Sequence, residues 1–198
     1  MRGVVPPESA RVTTALALAC LGLAWLPETL LASLAWERKA ILAGQWWRLW
    51  TGHLVHFGMP HAFTNALVLL AAGSIIERSM RPARLLRHLA MAAPFISLLL
   101  LAAMPGLDEY RGASSLTAML AVAAGLACWP RAGRWRRAIL AGGGAFTAAT
   151  AFHALGAGAG LSSLPEGVAV AWQAHGLGAA CGLVTGLSAT DAINPSYT

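Results

Sequence analysis

Two side chains with the chemistry of a nucleophilic hydrolase lie in stretches of sequence that are otherwise apolar. Ser114 begins an apolar run of helix length, and His175 lies inside the last apolar run of the chain. A histidine that takes the proton from a serine hydroxyl activates that oxygen for attack on a carbonyl. An ionisable residue at membrane depth is costly and by default indicates a functional site. These two residues are therefore the first candidates for chemistry.

The residues before Ser114 favour a sharp bend followed by a helix. Gly112 can adopt backbone angles that other residues rarely reach. In the first turn of the helix that follows, unpaired amides and the positive end of the helix dipole would stabilise an anion beside the serine. The alternative is that Ser114 is a helix N-cap, a position that serine favours for structural reasons alone.

His175 lies beside a stripe of small residues that recur at every fourth position. The stripe consists of Ala174, Gly178, Gly182 and Gly186. Such a stripe lets a neighbouring membrane helix approach very closely. If that neighbour is the helix of Ser114, the imidazole comes within hydrogen-bonding reach of the hydroxyl.

A third polar cluster precedes and enters the second apolar run. His61 and Asn65 are four residues apart, so they project from one helical face, where both side chains can donate hydrogen bonds to an oxyanion. The competing interpretation is a zinc or haem site that uses His53 and His56 together with His61. No H-E-x-x-H motif and no nearby acidic ligand supports it, so we expect no metal and no cofactor. His53 and His56 are expected to shape the loop instead.

The composition is that of a polytopic membrane protein. Of 198 residues, 57% are hydrophobic and 11% are charged, whereas soluble domains average about 25% charged residues. The net charge of +6 does not indicate nucleic-acid binding, because the basic residues fall in short clusters between apolar runs. The chain has three cysteines, an odd number, and their spacing is not that of a zinc site. They therefore indicate neither a disulfide framework nor a zinc site.

Six apolar runs are candidates to cross a bilayer as helices. They cover residues 12–31, 61–76, 85–104, 114–129, 138–155 and 168–188. The predicted fold is therefore all-α, a bundle of six transmembrane helices in one domain over residues 1–198. The segment 27–60 is too polar to span, and its four tryptophans predict short amphipathic helices that lie in the membrane interface.

The basic residues also predict which ends of these helices face the cytoplasm. With the N-terminus in the cytoplasm, four of the 14 lysines and arginines face outside, namely Arg38, Lys39, Arg48 and Arg111. Both termini are then cytoplasmic. Ser114 lies near the outer end of its helix, so its site would open to the external side.

In their types, spacing and order, these motifs resemble those of the rhomboid family of intramembrane serine proteases. The resemblance covers about residues 45–188. The matching residues are Trp47-Arg48 with Thr51, His56 with His61 and Asn65, Gly112-Ala113-Ser114, and Ala174-His175 with Gly178 and Gly182. The small size and the stretch Thr-Gly-His-Leu-Val-His at 51–56 look most like the rhombosortase subgroup.

This resemblance implies a catalytic dyad of Ser114 as nucleophile and His175 as general base, with His61 and Asn65 stabilising the oxyanion. The implied substrates are membrane proteins whose transmembrane segment is helix-destabilised within the lipid bilayer. For a rhombosortase these would carry a glycine-rich C-terminal anchor. The implied location is a bacterial inner membrane, with the active site open to the periplasm.

Two positions depart from the family pattern. Ser115 stands where the family commonly has glycine, which leaves open which of the two hydroxyls is better placed. Ala118 stands where many members have an aromatic residue that stacks on the histidine. Two other functions therefore remain as alternatives: an inactive rhomboid-like protein that binds membrane helices, and a small transporter whose buried polar residues line a path.

Overall fold

The computed structural model describes residues 10–155 and 171–193, which are mainly helical. A two-residue strand β1 (Trp36–Glu37) pairs with an antiparallel strand β2 (Glu109–Tyr110), with Trp36 opposite Tyr110. Short 3-10 turns at Trp129–Arg131 and Gly133–Trp135 follow the seventh helix. The helices are α1 (Arg11–Leu23), α2 (Glu28–Leu34), α3 (Arg38–Leu42), α4 (Arg48–Thr51), α5 (Met59–Glu77), α6 (Pro82–Ala103), α7 (Ser114–Cys128), α8 (Arg136–Ala154) and α9 (Trp172–Ile193).

The helical architecture agrees with the main part of the predicted fold. Five of the six predicted runs each correspond to one helix, α5 to α9, although residues 168–170 of the last run lie outside the described residues; the first run, 12–31, covers α1 and part of α2. Within the described part of the chain, α5 and α6 are the two helices both long and apolar enough to cross a membrane, and α1 is apolar but shorter. The β1–β2 pair was not predicted.

The first helix ends earlier than its apolar run. The run predicts a helix over 12–31, whereas α1 ends at Leu23 and α2 begins at Glu28. Pro27 precedes α2 with an extended backbone, φ −56° and ψ 146°. Proline lacks the amide hydrogen that a continuous helix would need, and its ring clashes with the preceding turn. The predicted end of this span was therefore wrong.

Helix α7 forms the centre of the bundle, between α5 and α9. Its residues 115–120 are all buried. The glycine stripe of α9 lies against it: a Cβ at Gly178 would be 2.0 Å from the Ser115 carbonyl oxygen, and one at Gly182 would be 2.5 Å from that of Met119. The predicted close helix packing is confirmed, and α7 is the partner.

The segment between α1 and α5 contains three short helices, α2, α3 and α4, which form a platform. Trp46, Trp47 and Trp50 are exposed on it. Arg38 fastens the platform to the end of α6 by donating hydrogen bonds to the carbonyls of Leu101 (2.9 Å), Met104 (2.6 Å) and Leu107 (3.0 Å). The Leu101 carbonyl has no amide partner four residues on, because residue 105 is proline, so the guanidinium caps this carbonyl at the end of α6.

Candidate active site

The bend that precedes α7 depends on Gly112. Its φ is 127°, and a Cβ there would lie 2.8 Å from Cε1 of His61. The Gly112 amide donates to the carbonyl of Gly52 (3.0 Å). A residue with a side chain would be strained in this conformation and would collide with the imidazole. The predicted role of the glycine is confirmed, and the bend brings His61 next to the start of α7.

Ser114 is the first residue of α7 and is half-buried. The N-cap is Ala113, which offers no side-chain cap. The purely structural alternative, in which Ser114 caps the helix, is therefore not what the structure has. Thr117 donates to the Ser114 carbonyl (2.8 Å), which ties the first turn together.

The neighbouring Ser115 is in a different environment. Its side chain is fully buried, and Oγ lies 3.0 Å from Nδ1 of His53 and 3.2 Å from the hydroxyl of Tyr110. Of the two adjacent hydroxyls, the one at 115 is enclosed and bonded within the protein, whereas the residue at 114 retains exposure. The two adjacent serines therefore differ in burial, Ser115 being fully enclosed and Ser114 half-buried.

His53 is neutral and its tautomer follows from its partners. Nε2 lies 3.0 Å from the carbonyl of Ala93 and 3.0 Å from Oγ of Ser97. A carbonyl can only accept, so Nε2 carries the hydrogen and Nδ1 accepts from Ser115. Burial lowers the pKa of His53 to about 4, which keeps the ring uncharged near neutral pH.

His56 supports the backbone just before the serine. Its Nδ1 lies 3.1 Å from the Leu54 carbonyl and therefore donates, while Nε2 accepts from the Ala113 amide (3.3 Å). Burial, with the nearby His61, lowers the pKa of His56 to about 3. His53 and His56 thus shape the loop, as predicted. Their nitrogens are engaged in protein contacts, which disfavours the metal interpretation.

The proposed oxyanion residues His61 and Asn65 lie on one face of α5 and are both buried. His61 packs edge-to-face on His56, with ring centroids 4.9 Å apart. Its Nδ1 is buried and has no hydrogen-bond partner among the described residues. The Asn65 amide donates to the His61 carbonyl (2.9 Å), so one of its two hydrogens is used within the helix.

His175 lies on the first turn of α9 and is half-buried. Phe146 of α8 lies beside it, with ring centroids 6.1 Å apart and a tilt of 45°. An aromatic ring is therefore present next to the histidine although α7 has Ala118 at the position where the family pattern has one. It comes from the neighbouring helix, a relation that the spacing along one helix could not predict.

Arg111 fixes the loop before the site and was missed as a structural residue. It is 6% exposed, and its guanidinium donates to both carboxylate oxygens of Glu28 (2.6 and 3.1 Å) and to Glu109. It also lies over the ring of Phe57, 5.1 Å from the centroid. The hydrogen bond from Arg111 lowers the pKa of Glu28. The one available signal was that these three charges fall on the same predicted side of the membrane.

A large cavity of about 970 Å³ lies between α5, α7 and α8. Its walls consist mainly of small and apolar side chains, including Ala118 and Phe146. The glycines of α8 that line it, at 142–144, have no atom within 4 Å of a hypothetical Cβ. The cavity therefore borders both the helix of Ser114 and the ring beside His175.

Comparison with known proteins gives two matches. Residues 43–191 match the family model described as the Rhomboid domain. Over 59 residues the chain is 41% identical to the Rhomboid protease GluP of Bacillus subtilis (strain 168), a stretch that covers 30% of this chain and 12% of that protein. The relative is thus matched over a small part of its length, whereas the family model extends over most of this chain. The chain belongs to the rhomboid family.

Proposed function

We propose that this protein is an intramembrane serine endopeptidase in which Ser114 is the nucleophile and His175 the general base. Its substrates are transmembrane or C-terminal anchor segments of other membrane proteins. Membership of the rhomboid family supports the class of reaction. The observation that carries the assignment is the contact of the Gly178 backbone with Ser115, since it joins the two helices to which the proposed dyad belongs.

The register of this contact supports the pairing. Gly178 lies against Ser115 and Gly182 against Met119, so α9 and α7 run in the same direction. His175 precedes Gly178 by three residues, about 4.5 Å along the axis, and is therefore level with the bend that leads into Ser114. Side chains on a helix lean toward its N-terminus, which directs the imidazole to this end of the bundle.

In the proposed reaction, neutral His175 takes the proton from the Ser114 hydroxyl as the oxygen attacks the scissile carbonyl. The C–N bond of the tetrahedral intermediate then breaks, and the imidazolium protonates the leaving amine. Water attacks the acyl-enzyme in the second half of the reaction, with His175 again as base. This water must reach Ser114 from the aqueous side at which α7 begins.

The oxyanion of that intermediate would be stabilised by His61 and Asn65 with the first-turn amides of α7. Two observations support this role: both residues lie on one face of α5, and the His61 ring borders the bend before Ser114, with Cε1 2.8 Å from a hypothetical Cβ at Gly112. Loss of one such donor typically lowers turnover by about 100- to 1000-fold. We therefore expect His61→Ala and Asn65→Ala to retain substrate binding and to lose most of kcat.

We further propose that α1 and α5 to α9 all cross the membrane, with both termini in the cytoplasm. This orientation puts the loop at Gly106 outside and the connection at Arg134 inside. In a chain with its native cysteines replaced by serine, a cysteine at 106 should react with a membrane-impermeant maleimide in intact cells. A cysteine at 134 should react only after lysis, and the reverse pattern would invert the proposed orientation.

The cavity between α5, α7 and α8 is the proposed site of the substrate's membrane segment. It is apolar and extends to Ala118, one turn below Ser114. A stable helix hides its carbonyls in hydrogen bonds, so the segment must be unwound locally, as glycine and other small residues allow. The finer proposal, that the protein is a rhombosortase acting on glycine-rich anchors, is based on the resemblance of residues 51–56.

The test is cleavage in proteoliposomes of candidate anchored proteins from the same genome, with the released ends mapped by mass spectrometry. We expect Ser114→Ala and His175→Ala each to abolish cleavage while the protein still inserts. Ser74→Ala is the matched control, because Ser74 bonds to its own helix at the Leu70 carbonyl. Parental cleavage by either dyad variant would refute the assignment.

A second candidate function is an inactive rhomboid protein that binds membrane helices without cutting them. The alanine at 118 and the Asn65 amide hydrogen that is engaged with its own helix favour this alternative. A fluorophosphonate probe separates the two, because it labels a serine only when the hydroxyl is activated. Labelling of Ser114 in the folded protein excludes the inactive alternative, and its absence together with retained helix binding supports it.

A further inference from the structure

A second serine–histidine pair lies next to the proposed dyad. Ser115 Oγ is 3.0 Å from Nδ1 of His53, a distance that suits a nucleophile and its base. Both residues are 0% exposed, so no substrate carbonyl can reach the hydroxyl. The pair therefore requires an explanation other than catalysis.

The hydrogen bonds of this pair form a chain from α7 to α6, in which each group donates to the next. Ser115 of α7 donates to His53 Nδ1, and His53 Nε2 donates to the Ala93 carbonyl and the Ser97 hydroxyl of α6. Ser97 in turn donates to the carbonyl of Leu49 (2.8 Å). The imidazole thus connects the first turn of α7 to α6 through groups whose donor and acceptor roles are fixed.

Tyr110 joins the same network from the loop before α7. Its hydroxyl lies 2.7 Å from the Gly112 carbonyl and 3.2 Å from Ser115 Oγ. Its ring packs edge-to-face on His53, with centroids 5.4 Å apart. The network therefore holds the backbone on both sides of Ser114, at Gly112 and at Ser115.

Ser115 is also one of the residues at which α9 contacts α7 most closely. Its side chain faces His53, while its carbonyl lies against Gly178. A shift of Ser115 would move its neighbour Ser114 and the surface on which the helix of His175 rests. We propose that His53 and Ser115 are positioning residues that hold the first turn of α7 at a fixed distance from α6, and thereby align Ser114 with His175.

This inference rests on the proposed function of Ser114 as nucleophile. It gives a physical reason for the serine at 115, one of the two positions that depart from the family pattern, because glycine has no group that could bond to His53. It also predicts a particular kinetic effect. A nucleophile misplaced by about 1 Å costs about 100-fold in rate, whereas substrate binding in the cavity is unaffected.

The experiment compares Ser115→Ala and His53→Ala with the parent in proteoliposomes. We expect kcat and the rate of fluorophosphonate labelling of Ser114 to fall together by about 10- to 100-fold, with KM within about twofold. Ser115→Thr, which keeps the hydroxyl, should recover more activity than Ser115→Val, which has the same shape without it. His88→Ala changes a histidine that bonds to Thr185 on α9 instead, and should keep the parental kcat.

A readout independent of cleavage separates this proposal from the proposed function. Amide hydrogen exchange over residues 112–118 should be faster in Ser115→Ala and His53→Ala than in the parent. If the parent neither cleaves a substrate nor is labelled by the probe, the proposed function fails. The amide hydrogen exchange rates alone then test whether His53 and Ser115 hold the first turn of α7 in place. Unchanged exchange, a kcat within twofold of the parent in Ser115→Ala, or equal activity of Ser115→Thr and Ser115→Val would each overturn it. If Ser115→Val does not fold, Ser115→Ala is compared with Ser115→Thr instead.

Discussion

The Cα of Gly178 lies so close to the Ser115 carbonyl that no side chain fits between α9 and α7: an added Cβ would be 2.0 Å from the oxygen. We predict that Gly178→Ala separates the two helices, lowers the free energy of unfolding by about 1–3 kcal/mol and abolishes cleavage. Gly176→Ala is the control, since nothing lies within 4 Å of a Cβ there. Thermal unfolding in detergent and cleavage in proteoliposomes check both variants; equal stability of the two would contradict the packing argument.

The bend at Gly112 should tolerate no side chain. In Gly112→Ala, the alanine would have to adopt a φ of 127°, and its Cβ would collide with the His61 ring. We therefore expect the free energy of unfolding to fall by at least about 1 kcal/mol and the labelling of Ser114 to be lost. Gly106→Ala serves as the comparison, because its surroundings are open. Measuring probe labelling against the fraction of folded protein distinguishes a displaced serine from an unfolded chain. Parental labelling in Gly112→Ala would show that the bend is not required.

Arg111 should stabilise the loop before α7 through its bonds to the carboxylates of Glu28 and Glu109. Glu28 is 69% exposed at its side chain, so its share is screened by solvent. We expect Arg111→Ala to lower stability by about 1–2 kcal/mol, and Glu28→Gln by less than about 1 kcal/mol. Arg137→Ala, at an exposed arginine, provides the baseline. Denaturant unfolding at low and high salt measures these effects; an Arg111→Ala chain as stable as Arg137→Ala would argue against the role.

Stability should fall in acid because two loop histidines are neutral in the fold. The pKa values of His53 and His56 are lowered to about 4 and about 3, chiefly by burial, whereas an unfolded histidine titrates near pH 6.5. The unfolded chain therefore binds protons first. The stability from these groups is complete above about pH 6.5 and is lost as the pH falls toward 4 and below.

Unfolding in detergent at a series of pH values measures this dependence. His56→Gln cannot titrate, so it should decline less steeply below pH 6.5 than the parent. A parent whose stability is the same at pH 7 and pH 4 would contradict the assigned neutral state of both rings.

Much of the fold follows from local signals in the sequence. The apolar runs predicted α5 to α9 and most of α1, and the small residues at 174, 178, 182 and 186 predicted a close helix contact. The glycine at 112 predicted the bend. Each of these features depends on one continuous stretch of the chain, so pattern and spacing are sufficient to find them. The break before Glu28 was also readable from Pro27, but the apolar run obscured it.

The contacts that hold the candidate site residues in place could not be predicted from local sequence patterns. The bond between Ser115 and His53 joins residues 62 positions apart, and that between Arg111 and Glu28 joins residues 83 apart. The ring beside His175 comes from α8 and not from the helix of the serine. Each relation depends on how helices pack in three dimensions. The sequence offered candidates for the reactive groups, but it did not reveal the contacts that hold them in place.

Arg38 has a consequence for how the molecule responds to its surroundings. Its guanidinium bonds to the carbonyl of Leu101 in the last turn of α6 and to that of Met104 just after the helix. These two carbonyls therefore obtain hydrogen bonds from the platform and not from water or a lipid headgroup. A displacement of the platform at Arg38 should accordingly act first on this end of α6.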